Sequence, residues 1–185
     1  MTYATTTSYR GPVPLEEDLL ADGEPEREYH AGIASRLARK RVAGGAIVRD
    51  RADRILLLEP IYKPYLEIPG GLAETNESPR DACHREVLEE IGLDRPVGRL
   101  LIVDWVPEHG VWGDGLMFIF DGGHLDDAET AAIRLPVDEL AAYKFLTVDE
   151  ALPLLKPSMA RRLQLACRSL DESGAPTYGE FGREL

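Results

Sequence analysis

The chain has 185 residues, 44% of them hydrophobic, enough for one domain with a sizeable core. Its 33 acidic and 21 basic residues give a formal net charge of −12, which repels nucleic-acid backbones and argues against a general DNA or RNA binder. No apolar run approaches the roughly 20 residues of a membrane helix, and the polar, Thr-rich start from Met1 to Arg10 lacks a signal peptide's apolar region, so no membrane association and a cytoplasmic location are expected.

In chain order, residues 1–24 contain few large apolar side chains and read as a flexible or loosely docked arm. A helix is expected over 25–40, with Tyr29, Ile33 and Leu37 on one face, acids at its start and Arg36, Arg39, Lys40 and Arg41 at its end. Val42 to Val48 and Ile55 to Leu58 read as strands around a polar turn, and Tyr65 to Ile68 as a third, ended by Pro69, Gly70 and Gly71. After a helix discussed below, Arg99 to Val106 and Leu116 to Phe120 read as strands joined by a loop holding Trp112, with a turn at Gly113, Asp114 and Gly115. Ala142 to Leu146 is a last strand. Val148 to Leu155 and Pro157 to Leu170 are helical, the second with Met159, Leu163, Ala166, Cys167 and Leu170 on one face. Residues 41–170 thus form one α/β domain, and 171–185 a C-terminal tail.

The helix after Gly71 carries its own punctuation. Ser78 is an N-cap, Pro79 fits the first helical position, Asp81 can complete a capping box and Gly92 is a stop. Cys83, Val87, Leu88 and Ile91 are its expected apolar face, while Glu86, Glu89 and Glu90 gather on another. Three crowded carboxylates repel one another, and a hard divalent cation with oxygen ligands would relieve them. A solvated acidic helix face is the simpler account of such a cluster alone. A glycine bend directly before the helix, where backbone can approach a ligand, favours the metal.

The segment from Gly71 to Leu93 resembles the Nudix box, G-x5-E-x7-R-E-U-x-E-E-x-G-U with U aliphatic. Gly71, Glu77, Arg85, Glu86, Val87, Glu89, Glu90, Gly92 and Leu93 fill every specified position. The resemblance implies an α/β/α sandwich around a mixed β-sheet, with the box as loop, helix and loop. It implies Mg2+, with Mn2+ as a substitute, held by Glu86, Glu89, Glu90 and Gly71, the last through its backbone carbonyl. Glu86, Glu89, Glu90 and Arg85 are the expected catalytic set, with Arg85 pairing Glu77 to keep the box in shape. The implied reaction is hydrolysis of a diphosphate bond in a nucleoside diphosphate linked to another group: a nucleoside triphosphate, ADP-ribose or a nucleotide sugar. A homodimer is expected by the same analogy.

The chemistry agrees from below, because water attack on a diphosphate needs charge neutralisation and an aligned nucleophile more than a covalent protein group. The general base stays open between Glu89 and the later acids Asp126, Asp127 and Glu129, which read more simply as a solvated loop. Trp105, Trp112, Tyr62 and Tyr65 are candidates to stack on a base or to pack. Arg36, Arg39, Lys40 and Arg41 are candidates to meet phosphates or simply to end a helix. His30, His84, His109 and His124 lack metal-ligand spacing, and Cys83 and Cys167 read as buried small hydrophobes. Two other functions fit the same fold: a non-catalytic nucleotide-sensing module, which would be expected to lose box acids, and a prenyl-diphosphate isomerase, which would carry an altered box.

Overall fold

A computed structural model describes residues 27–171 and 174–184, with Leu19, Ala21 and Glu24. The expected arm over 1–24 otherwise lies outside the described residues. The chain divides between Arg39 and Lys40. Before that point the helix expected over 25–40 shrinks to one turn, α1 (Ile33–Arg36). Gly32 explains the difference: it takes a left-handed φ of 76° at the N-cap, which a helix cannot run through. The Glu28 carboxylate instead accepts from the N–H groups of Gly32 at 2.7 Å and Ala34 at 3.0 Å.

From Lys40 onward the strands are β1 (Arg41–Arg49), β2 (Ile55–Pro60), β3 (Gly70–Leu72), β4 (Leu100–Val106), β5 (Gly115–His124), β6 (Leu140–Leu146), β7 (Thr177–Glu180) and β8 (Arg183–Glu184). The helices are α2 (Pro79–Ile91), α3 (Asp127–Ala132), α4 (Val148–Ala151) and α5 (Pro157–Asp171), with a 3-10 turn, Leu152–Leu154, after α4. One sheet runs β6-β2-β1-β5-β4-β7-β8, and β3 pairs with β1. It is mixed: β1–β5 and β4–β7 are parallel, and the other pairs antiparallel.

The continuous apolar strands reflect burial on both faces. Ile47, Ile55 and Leu57 point to one face, where Leu163, Leu165 and Ala166 of α5 cover them. Ala46, Val48, Leu56 and Leu58 point to the other, under Cys83, Val87 and Ile91 of α2. This period-two alternation between two helical layers makes the α/β/α sandwich. Each fully buried Ile or Leu contributes about 1.5–3 kcal/mol. Burial also pushes the Cys83 thiol up to about 12 and the Cys167 thiol up to about 11, so both stay protonated near neutrality.

Three expectations need correction. Tyr65 to Ile68 is not a strand; Glu67 makes only an isolated bridge to Leu58, and the neighbouring strand is the glycine segment itself, β3. Leu88 is 41% exposed, and Ala82 takes its place on the buried face of α2. The stretch expected as a C-terminal tail supplies β7 and β8, with β7 adding to the sheet beside β4.

Candidate functional site

The site begins with glycine-permitted close packing. β3 runs against β1 with Gly44 opposite Gly71 and Gly45 opposite Gly70. A Cβ on Gly44 would stand 2.0 Å from the Pro79 carbonyl oxygen, so its absence lets the first turn of α2 rest on β1. A Cβ on Gly71 would stand 2.3–2.6 Å from the carboxyl atoms of Glu86, so that carboxylate occupies space the missing side chain leaves. The helix itself forms as its sequence dictates. Ser78 Oγ accepts from the Asp81 N–H at 3.1 Å, and the N–H of Gly92, at φ 73°, donates to the Leu88 carbonyl.

Arg85 organises the acids. Its Nε and Nη2 donate to the two oxygens of Glu77 at 2.9 and 3.0 Å, the pairing that the box resemblance implies. Nη2 also donates to the Leu72 carbonyl at 3.0 Å, while Nη1 donates to Glu86 at 2.9 Å and Glu89 at 3.1 Å. The Arg85 hydrogen bond holds the Glu77 carboxyl below its usual range, and the same acids raise the guanidinium pKa. Glu90 accepts from the Gly70 N–H at 2.7 Å. Burial, reinforced by the charges of Glu86, Glu67 and Glu139, raises its pKa to about 8 against that hydrogen bond.

Two of the box carboxylates therefore border β3, and the third stands off on Arg85. Glu86 fills the Gly71 notch, Glu90 sits on the Gly70 amide, and Glu89 leans on Arg85 with its side chain 58% exposed. Among the described residues, no group of three or more His, Cys, Asp or Glu side chains is gathered in a geometry that could hold a metal ion. The candidate donors still fit a hard cation in their chemistry: all are oxygen, and the Gly71 notch brings backbone against a carboxylate. Arg85 now takes two of the three acids, so closing them on a cation requires side-chain rotation.

Beside β3 lies a cleft of about 670 Å³ with an adjoining hollow of about 170 Å³ lined by Gly70 and Gly71; Ala43, Glu67 and Leu72 belong to both. Of the aromatic candidates, Trp112 and Tyr65 line the cleft, whereas Trp105 donates its indole N–H to Asp114 at 3.1 Å and Tyr62 sits beside Lys63. Of the basic candidates, Arg41 lines the cleft from β1, and Lys40 pairs with Asp114. The later acids lie apart from the box. Asp126 caps α3 in a reciprocal capping box with Glu129, Asp127 pairs with Arg51, and Glu129 also pairs with Arg95. His84 and His124 pair with Asp94 and Asp53, while His109 lines the cleft.

Sequence reasoning missed Glu67, Glu139, Lys156, Arg161 and Phe181. Glu67 stood in the Leu-Glu-Ile-Pro-Gly-Gly run before the box. The others carry no local signal and become neighbours only through the fold.

A mixed-sheet sandwich presenting a box helix beside a glycine strand is the architecture of a Nudix domain. Residues 39–166 match the NUDIX domain family, and the chain belongs to the Nudix hydrolase family. No curated protein matches the chain. Among solved structures it is similar to the MutT protein from Methanosarcina mazei Go1, at 20% identity, TM-score 0.60, covering 75% of this chain and 100% of that one. It is also similar to a UDP-X diphosphatase, at 21% identity, TM-score 0.64, covering 89% and 74% respectively. A third is an ADP-ribose pyrophosphatase from Streptococcus suis 89-1591, at 22% identity, TM-score 0.55, covering 77% and 99%. These likenesses bear on the fold. No helix among the described residues is long and apolar enough to cross a membrane.

Proposed function

We propose that this protein is a magnesium-dependent diphosphohydrolase acting on a nucleoside diphosphate linked to another group. The observation that carries the reading is the packing of Glu86 and Glu90 against β3, the strand whose Leu72 lines a cleft large enough for a nucleotide. Glu86, Glu89, Glu90 and the Gly71 carbonyl would hold magnesium. Bound there, the ion supplies charge neutralisation for the diphosphate and a lower pKa for water.

The protein's own groups do the rest. Arg85, clamped by Glu77 and the Leu72 carbonyl, fixes the box acids relative to β3. Glu89, the most exposed of the three, takes the water proton. The cleft holds the remainder of the substrate and lowers the water content around the scissile bond. Asp126, Asp127 and Glu129 are engaged on α3 and have no part in this scheme.

The test is product identification by chromatography, following formation of the nucleoside monophosphate from nucleoside triphosphates, ADP-ribose and nucleotide sugars, with magnesium and then with manganese. Wild type is expected to turn over at least one of them in a metal-dependent manner. Glu86→Gln and Glu90→Gln are each expected to lower kcat by about 100-fold or more, as loss of a group stabilising transition-state charge does. Turnover unchanged in both variants refutes the assigned site.

A further inference from the structure

We infer that the β7–β8 hairpin, outside the stretch matched to the family, is a specificity element whose Phe181 receives the substrate's nucleobase. The inference rests on the diphosphohydrolase reading and adds the identity of one contact. Residues 39–166 match the family, whereas the hairpin spans residues 177–184 and reaches the cleft only because β7 pairs in parallel with β4.

The turn is where the observation lies. Glu180 pairs with Arg183, leaving Phe181 and Gly182 as a two-residue loop with φ of 54° and 76°. Two positive φ values define a turn that favours Asn-Gly, because Asn and Gly tolerate the left-handed region. A phenylalanine there is strained, and such strain at a cleft wall is a mark of function. The position is held firmly. The Phe181 N–H donates to the Trp105 carbonyl at 2.7 Å, and its carbonyl accepts two bonds from Arg161 at 2.8 and 3.1 Å. The Gly182 N–H donates to buried Asp104 at 2.7 Å. Yet Phe181 is left 36% exposed and lines the cleft. A side chain unsuited to its turn, on an anchored backbone, is a preorganised aromatic surface.

The surroundings indicate what it receives. In a chain of net charge −12, three cations on the cleft, Arg41, Lys156 and Arg161, have no ion pair among the described residues. Arg161 lies over the Phe181 ring, 5.4 Å from its centroid, and Arg41 over the Trp112 ring at 5.2 Å. Aromatic faces beside unpaired cations suit a ligand that is flat and anionic at once. A nucleotide has both properties; a prenyl chain or a sugar phosphate lacks the flat ring system.

The experiment is calorimetry on the full chain, with ADP and inorganic diphosphate as probes, in magnesium and in its absence. Phe181→Asn removes the ring while favouring the turn, so folding is preserved, and a melting curve checks this. It is expected to weaken ADP binding about 10- to 100-fold, as loss of one base–aromatic stack does, and to leave diphosphate binding within about twofold. Phe181→Tyr should restore ADP binding to within about threefold. The inference is overturned if Phe181→Asn binds ADP as wild type does, or if ADP and diphosphate weaken alike. ADP binding that depends on Phe181, in a protein that hydrolyses nothing with magnesium, would sink the diphosphohydrolase reading and leave this contact standing.

Discussion

Neutralising Asp104 tests how the hairpin is tied to the core. Asp104 is fully buried on β4, and its partner Arg162 on α5 is 4% exposed. One carboxylate oxygen accepts from Arg162 Nε and the other from the Gly182 N–H. Asp104→Asn keeps the shape and the acceptor for Gly182 but leaves the buried guanidinium without its counter-charge. Removing one partner of a buried ion pair costs about 3–5 kcal/mol, because the remaining charge is uncompensated. Against a usual total of about 5–15 kcal/mol, that is a large fraction of the stability. Urea unfolding followed by tryptophan fluorescence gives the number from the shift in midpoint at constant slope. Asp104→Asn with Arg162→Met removes both charges and is expected to be more stable than the Asp104→Asn single variant. A loss below about 1 kcal/mol in the single variant, the value of an exposed pair, would refute the reasoning.

Two further outcomes concern packing and pH. Gly44→Ala places a Cβ on the Pro79 backbone, which cannot swing aside, so α2 must lift from β1; a loss of about 1–3 kcal/mol is expected in thermal melting. Asp50 binds the N–H groups of Ala52 and Arg54 and the Arg54 guanidinium; burial opposes its charge, but these bonds win and its pKa lies below 3.8. A lowered folded pKa gives stability that is present above the unfolded value and lost as pH falls through the folded one. Asp50→Asn is therefore expected to cost about 1–2 kcal/mol at pH 7, with the gap to wild type closing below about pH 3.8 in urea midpoints measured across pH.

What was legible in the sequence was what local chemistry decides. The Ser78–Pro79 start and Gly92 stop of α2, the continuous apolar runs of β1 and β2, and the spacing of the box acids all rest on interactions within a few residues. The helix expected over 25–40 gives way to one turn because Gly32 is left-handed, which the apolar period of Tyr29, Ile33 and Leu37 does not reveal. β3 was hidden because a glycine pair reads as a bend, and only Gly44 and Gly45, in a distant segment, make it a strand. β7 was missed for a similar reason: a four-residue parallel strand draws its hydrogen bonds from β4, far away in sequence. The cleft cations and Phe181 lie on three separate segments, so no window of sequence brings them together.

The place of β3 in the sheet carries a dynamic consequence. Gly71 is a rung of the ladder with β1, so its amide opens only when the central sheet opens, whereas the Gly70 amide is held by the Glu90 carboxylate. Hydrogen exchange at Gly71 should be as slow as at Ile47, although Gly71 lines the hollow beside the cleft. In the proposed scheme the backbone beside the metal is then as stiff as the protein's interior, and adaptation to substrate falls to the loops and the hairpin.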